Sequence, residues 1–452
     1  MKILPFLGII GFLINPFNGF AQNSSGQYLS PSMRAGEYLG SIDLPNFSIE
    51  LGVIDFGLNL NFNAGDILKG NDQTLNVKNL SQNRDYLVIH NELSSNLFAV
   101  TLGKKATHHV FGIGLNNLGD LSIDRDLIQI ATVGFPLNND GIYSNNNDGI
   151  NISQEIWSNL FYGITRKVGK NSIGFRVNYN TLIAGAQIET DEFKFDRISN
   201  ADTNFIGLKY RAGLQIAGFE NYAKILTNDF SSVQFIKSNG RLSVDFGIEK
   251  QLKEYYRLGV SLNNIWLNRN FGSITRTVWS GEGSFSGADY VIGTDSMSDV
   301  VNDLVNYDLN GFFPDTTQES SQYFIAAPSR LKVYFTTRLS SQMKLIVSNN
   351  VRWYPNRQDY TLSAFVFNKP NKILHLGYGI NWWLNYNIID LNLAGKILFA
   401  PYSRFSIGFN NPFNIPLPSA GSVRFTEGFS GANIFFGLSF GKYVEKDFLY
   451  YF

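Results

Sequence analysis

Apolar and polar residues alternate along several stretches of the chain, each about ten residues long. Successive side chains of a β-strand point to opposite faces, so this two-residue period predicts strands with one apolar and one polar face. Residues 173–180, for example, read IGFRVNYN. The same pattern covers residues 56–63, 242–249, 256–263 and 434–441. The chain is therefore predicted to be all-β.

Composition separates a membrane barrel from a soluble β-sandwich, whose strands also alternate. Charged residues make up 16% of the chain, against about 25% in an average soluble protein, and aromatic residues make up 15%. A soluble protein of this composition would expose apolar surface to water, whereas a wall facing lipid would not. Outer-membrane lipid is therefore the expected surrounding. The 37 basic and 37 acidic residues balance, so nucleic acid is not an expected partner.

The N-terminal residues have the pattern of a secretory signal peptide. Lys2 precedes an apolar run over residues 3–14, and Gly19-Phe20-Ala21 offers the small residues that a signal peptidase recognises. We therefore predict a signal peptide over residues 1–21. A membrane anchor is the alternative, but the run has about 12 residues and a spanning helix needs about 20. No later run is long enough, and without helices only a closed β-barrel spans a membrane.

Counting the alternating runs predicts a transmembrane antiparallel β-barrel of roughly 14 strands in the bacterial outer membrane, over residues 47–452. Short polar links predict hairpin turns on the periplasmic side at residues 168–171, 250–254, 340–342 and 368–372. The aromatic pairs Trp353-Tyr354 and Trp382-Trp383 suit interfacial girdles, although packing at strand ends explains each pair nearly as well.

Three segments interrupt the alternation. Residues 22–46 contain Gly, Ser and Pro and are predicted to enter the lumen as an N-terminal plug. Residues 124–134 have the pattern of a short helix that Asp124 caps. Residues 268–324 are predicted to form one long, partly helical loop that acts as a lid or plug, with a mobile surface loop as the alternative. The helical spacing in this loop involves Met297, Val300, Val301, Leu304 and Val305.

The arrangement of these runs resembles a known group of proteins. The residues concerned are 47–68, 126–134, 162–179 (YGITRKVGKNSIGFRVNY), 241–266 and 328–442. They resemble outer-membrane barrels of Bacteroidota that form a family of unknown function and are similar to long-chain fatty-acid transporter barrels. The resemblance implies a barrel of about 14 strands with an N-terminal plug. It implies no catalytic or binding residues, because none is established for the family.

One spacing of oxygen-bearing residues suggests a metal site. It fits a calcium-binding loop except for the serine in first position, and it involves Ser144, Asn146, Asp148, Gly149 and Glu155. Oxygen ligands there would order an external loop. Because residues 138–151 are rich in Asn, Asp and Gly throughout, a solvated loop is the preferred interpretation.

Other site chemistry is not expected. The chain has no cysteine, so disulfides and thiolate sites are excluded. Its four histidines include one adjacent pair, whose side chains would point to opposite faces of a strand, so a zinc site is not expected; they are His90, His108, His109 and His375. No nucleophile stands beside a base in a recognisable motif, and we predict neither an enzyme nor a cofactor.

Two functions remain from the sequence. The first is passive uptake of a hydrophobic or amphipathic small molecule through a plugged barrel, as the plug, the polar lumen face and the resemblance suggest. The alternative is a partner-binding barrel that serves a type IX secretion or gliding assembly, with residues 268–324 as its docking element. A narrow, apolar-lined internal pocket would favour uptake, and an exposed apolar patch on the long loops would favour docking.

Removal of calcium is expected to leave the melting temperature of the folded barrel unchanged, because a solvated loop needs no ion. Thermal unfolding with and without a calcium chelator measures this. A large drop in melting temperature with the chelator would instead support calcium binding by residues 144–155.

Overall fold

The structure is a computed structural model that describes residues 47–60, 86–104, 106–124, 143–146, 149–200, 203–218, 240–285, 315–355, 358–368, 370, 374–384, 388–400, 403–416 and 431–442. The predicted signal peptide and the predicted plug, within residues 1–46, lie outside the described residues. So do residues 297–305, for which a helix is predicted.

Eighteen β-strands make up most of the described part of the chain. They are β1 (Phe47–Leu60), β2 (Tyr86–Lys104), β3 (Thr107–Asp124), β4 (Tyr143–Asn146), β5 (Ile150–Val168), β6 (Asn171–Asn200), β7 (Thr203–Ala217), β8 (Arg241–Lys253), β9 (Tyr256–Trp266), β10 (Asn270–Phe285), β11 (Asp315–Phe324), β12 (Ser329–Arg338), β13 (Met343–Trp353), β14 (Gln358–Asn368), β15 (Leu374–Trp383), β16 (Ile388–Ala400), β17 (Ser403–Pro416) and β18 (Gly431–Lys442). Within these same ranges no helix has the length and hydropathy to cross a membrane.

The strands form one antiparallel sheet that closes on itself. β1 pairs with β2 on one side and with β18 on the other, so the first and last strands of the sheet meet. Among the described residues, eighteen strands occupy fourteen positions around the wall, because four positions hold two consecutive strands each. These pairs are β4 with β5, β7 with β8, β9 with β10, and β11 with β12. The fold is the predicted antiparallel β-barrel.

The inner face of the wall is polar and its outer face is apolar. On β8, Leu242 and Phe246 have 42% and 40% of their surface exposed, whereas Asp245 has 1%. The adjacent strand β9 repeats the pattern, with Leu258 exposed and Arg257 buried. A soluble protein places its apolar residues inside and its charges outside. The inverted distribution suits a barrel whose outer face contacts lipid, and it confirms the polar lumen face that the alternation predicts.

Short turns connect the strands at one end of the barrel, which we call the turn rim. Three predicted turns lie there, at residues 168–171, 340–342 and 368–372. The fourth, predicted at residues 250–254, is shifted because β8 continues to Lys253 and the turn comprises residues 254–255. That the turn rim faces the periplasm stays a prediction.

The prediction of one long loop over residues 268–324 is wrong at both ends, where β10 and β11 lie. β11 reads DTTQESSQYF, and most of its side chains are exposed. β10 pairs with β7, which pairs with residues 185–200 of β6, far from the turn rim. A strand that extends beyond the lipid needs no apolar outer face, so its sequence loses the alternation. The middle of the segment, residues 286–314, lies outside the described residues.

Two smaller predictions concern single residues. Asp124 is the buried last residue of β3 and pairs with Tyr86 of β2. The helix predicted after it lies outside the described residues and stays a prediction. Tyr354 does not belong to an interfacial girdle, because its hydroxyl lies 3.3 Å from Nε2 of His90 inside the barrel. The side chain of an aromatic residue just after a strand can point into the lumen or toward the outer face, and the sequence alone does not distinguish the two.

Phe175 lies on the outer face, 44% exposed and a few residues from the turn rim, where a charge would face hydrocarbon. We expect Phe175→Arg to lower the free energy of unfolding in lipid by about 2–4 kcal/mol. Glu254→Arg places the same side chain in the exposed turn, and its expected cost is within about 0.5 kcal/mol. Denaturant titration in lipid vesicles measures both variants. Equal costs would show that Phe175 does not face lipid.

Candidate functional site

Three neighbouring positions of the wall are interrupted at the same height. The breaks lie between β7 and β8, between β9 and β10 at residues 267–269, and between β11 and β12 at residues 325–328. Hydrogen bonds join adjacent breaks: the Leu267 N–H donates to the Leu242 carbonyl at 3.0 Å, and the Ile325 N–H donates to the Arg269 carbonyl at 3.0 Å. The regular strand ladder therefore stops along one line across the barrel wall.

The chain turns from the wall into the lumen at the third break, and we call residues 323–328, which begin with the last two residues of β11, the inward segment. Tyr323 and Ile325 have no exposed surface. The sequence YFIAAP accounts for the departure from the sheet. Pro328 has no N–H to donate to a neighbouring strand, and Ala326 and Ala327 are small enough to approach other strands closely.

Two polar side chains bind the inward segment from strands β5 and β6. The carboxylate Oε1 of Glu155 accepts hydrogen bonds from the Ala326 N–H and from the Gln187 amide nitrogen, both at 2.9 Å. The Gln187 amide nitrogen also donates to the Phe324 carbonyl at 2.6 Å. Glu155 and Gln187 are buried, so water competes little for these bonds. They hold the inward segment against the wall formed by β5 and β6.

Side chains from β9 and from the break after it donate hydrogen bonds to the carbonyl groups of the inward segment. The Arg269 guanidinium donates to the carbonyls of Ile325 and Ala327 at 3.2 and 3.0 Å. The Asn264 side-chain amide donates to the Pro328 carbonyl at 2.9 Å. Buried backbone groups outside a ladder are costly unless they are paired, so these contacts allow the chain to leave the sheet inside the barrel.

An apolar cluster surrounds the inward segment inside the barrel. The indole rings of Trp157 and Trp266 lie 5.3 Å apart between their centroids. We call this group the mid-barrel cluster, and its members are Leu118, Trp157, Leu182, Ala217, Tyr323, Ile325 and Ala327, with Trp266, Ile274 and Ala326 packed against it. It narrows the lumen with apolar surface.

A cavity of about 410 Å³ lies beside the mid-barrel cluster, next to the inward segment. Its wall combines carboxylates, hydroxyls and amides with apolar groups of the inward segment and of the residues after β13. It is lined by Asp120, Asn151, Ile152, Ser153, Gln187, Ile188, Glu189, Thr190, Asp191, Phe324, Ala326, Tyr354 and Pro355. A mixed lining of this kind suits an amphipathic ligand.

Between the mid-barrel cluster and the turn rim, paired polar side chains line the lumen. Arg176 forms an ion pair with Asp245. The Arg257 guanidinium lies 3.5 Å from Oε1 of Glu249, which also accepts a hydrogen bond at Oε2 from the Tyr334 hydroxyl at 2.7 Å. Buried charges are tolerated when they are paired and hydrogen-bonded, so this part of the lumen is a stable polar lining.

The described residues of the calcium-loop candidate, for which a solvated loop is the preferred prediction, do not come together. Ser144 and Asn146 lie on β4, whereas Glu155 lies further along, on β5, and holds the inward segment. Asn146 pairs with Glu192 of β6 and Glu155 pairs with Gly185, so seven positions of β6, about 20 Å, separate them along the wall. Asp148 lies outside the described residues, and within those residues no three acidic or histidine side chains form a metal-binding group. The calcium interpretation is therefore wrong for Glu155.

The adjacent histidines point to opposite faces of β3, as predicted. His108 is buried, whereas Nδ1 of His109 lies 2.7 Å from the exposed Tyr162 hydroxyl. A third histidine, His90, lies 3.1 Å from Asp120 inside the barrel. His108 and His109 face opposite sides of the wall and His90 lies on another strand, so these three described histidines form no metal-binding group.

The fold and the internal constriction define the class of protein: a β-barrel whose outer face suits a membrane. The chain belongs to a family of unknown function (DUF5723), which matches residues 33–400. This agrees with the resemblance to a barrel family of unknown function, whereas an origin in Bacteroidota stays a prediction. No curated protein matches the chain in sequence.

The chain is similar to several solved structures. It aligns with the P. putida toluene transporter TodX at 10% identity and a TM-score of 0.36, over 88% of this chain and 89% of that chain. It aligns with the CymD monoaromatic hydrocarbon channel at 10% identity and a TM-score of 0.41, over 94% of both chains. A Pseudomonas aeruginosa FadL homologue gives 10% identity and a TM-score of 0.41, over 93% of this chain and 98% of that chain. No residue role is transferred from them.

Gly185 of β6 lies directly against Tyr323, and an added Cβ would overlap the tyrosine hydroxyl and ring. We expect Gly185→Ala to lower the free energy of unfolding by about 1–3 kcal/mol, although alanine in an ordinary strand is favourable relative to glycine. In a Tyr323→Leu background the same change is expected to cost much less. Denaturant titration of the four proteins gives the coupling energy. Equal costs in both backgrounds would contradict the contact.

Proposed function

We propose that this protein is an outer-membrane barrel for passive uptake of hydrophobic or amphipathic small molecules. The mid-barrel cluster is the observation that supports this proposal. A barrel that passes ions or sugars needs a continuous polar lumen, whereas here apolar side chains meet inside the wall. Such a passage offers an apolar molecule a favourable environment at the narrowest point.

The cavity next to the inward segment supports the proposal further. A molecule that enters it contacts Phe324 and Ala326 of the inward segment, and Ala326 also packs against the mid-barrel cluster. Cavity and cluster therefore share the inward segment, so a ligand can pass from the mixed lining of the cavity to the apolar lining of the cluster. Narrow, apolar-lined internal space of this kind is the feature that distinguishes uptake from docking.

The partner-binding alternative is not favoured by any described feature. It required residues 268–324 as an external docking element, but β10 and β11 take up both ends of this segment in the barrel wall. The middle of the segment lies outside the described residues, and secretion-system partners stay a prediction.

Ala326→Trp would fill the space between the cavity and the mid-barrel cluster. We expect cells that express this variant to take up a hydrophobic fluorescent dye, one that lipopolysaccharide excludes, severalfold more slowly than cells with the unaltered protein. Leu160→Trp places the same side chain on the exposed outer face of β5 and is expected to keep normal uptake. Heat-dependent migration in gels confirms folding of both variants. If cells with the unaltered protein took up the dye no faster than cells that lack the protein, the proposed function would be refuted.

A further inference from the structure

We propose that the cavity accepts amphipathic molecules whose head group is uncharged or cationic and donates hydrogen bonds, and that it excludes carboxylate amphiphiles. The proposal rests on the uptake function above and names the substrate class for it. It follows from the charge of the cavity wall and from the apolar surface beside that charge.

The cavity wall carries an excess of negative charge. Among the described residues that line it, three are carboxylates and none is a lysine or an arginine; the carboxylates are Asp120, Glu189 and Asp191. The nearby guanidiniums of Arg211 and Arg276 both bind Asp191, at 3.2 and 2.6 Å. Arg211 also binds Glu319 at 2.6 Å. Two guanidiniums are therefore shared between two carboxylates.

Glu189 is the carboxylate most open to the cavity. Within the part of the chain that the structure describes, Glu189 forms no direct ion pair and its side chain is exposed, while the Arg276 guanidinium attracts its charge from a longer distance. Asp120 accepts from Nδ1 of His90 at 3.1 Å, while the Tyr354 hydroxyl lies 3.3 Å from Nε2 and can donate to it. A ligand carboxylate in the cavity would face like charges, which is strongly unfavourable away from bulk water.

Apolar surface of the inward segment completes the recognition. Phe324 and Ala326 line the same cavity as the carboxylates, so a ligand can place a polar head against Glu189 and an apolar chain against the inward segment. An alcohol or an amine with a short alkyl chain has both parts. The corresponding carboxylate has the same chain but the wrong charge.

The test compares hexanol, hexylamine and hexanoate on the full barrel in lipid nanodiscs, with empty nanodiscs as the reference for partition into lipid. Isothermal titration calorimetry measures each affinity. Hexanol and hexylamine are expected to bind at least about tenfold more tightly than hexanoate. Glu189→Gln is expected to narrow the difference between hexanol and hexanoate severalfold. Glu254→Gln, in the exposed turn at the opposite rim, changes the net charge equally and is expected to have no effect.

The outcomes separate the two proposals. Equal affinity for all three molecules would overturn the head-group selectivity and leave the uptake function standing. Binding of none of them above empty nanodiscs would overturn both. Exclusion of hexanoate that Glu189→Gln does not relieve would show that the cavity carboxylates are not its cause. Heat-dependent gel migration of each variant ensures that an unfolded barrel is not measured.

Discussion

The closed ladder of backbone hydrogen bonds is the constraint on which the rest of the structure depends. Hydrocarbon offers no partner to an unpaired N–H or C=O, so a sheet in lipid cannot have a free edge. Pairing of β1 with β18 removes the edge and separates an inside from an outside. Only in the closed barrel do alternate side chains face different surroundings, with lipid outside and the lumen inside. Leu242 can face outward while Asp245, three residues later, forms an ion pair inside.

The sequence predicts the part of the barrel that the lipid constrains. Residues such as Phe175 and Asn178 alternate because each face has its own surroundings, and a count of such runs leads to the number of wall positions. Where the wall extends beyond the lipid, that requirement disappears, and β11 is polar on both faces. Sequence periodicity therefore predicts a loop there, although the backbone still forms a paired strand. Exact turn positions, as at Lys253, depend on the register of neighbouring strands, which no local pattern contains.

The candidate site is harder to predict because its contacts join distant parts of the chain. Ala326 and Glu155 are 171 residues apart, and the spacing of Glu155 from nearby Asn and Asp residues instead suggests a calcium loop. One local signal exists: YFIAAP places apolar residues and a proline directly after the polar strand β11. That signal indicates a break in the wall. It does not indicate that the break lies inside the lumen against β5 and β6.

The seam between β1 and β18 has a consequence for how the protein is made. Its two strands stand at opposite ends of the described chain, with Phe47 beside Lys442. Contacts between such distant residues form late, because the chain between them must first be ordered. Until then the outermost strands expose unpaired edges that can join other chains. The nascent polypeptide therefore needs protection in transit, and insertion into the bilayer and completion of the ring must be coupled events.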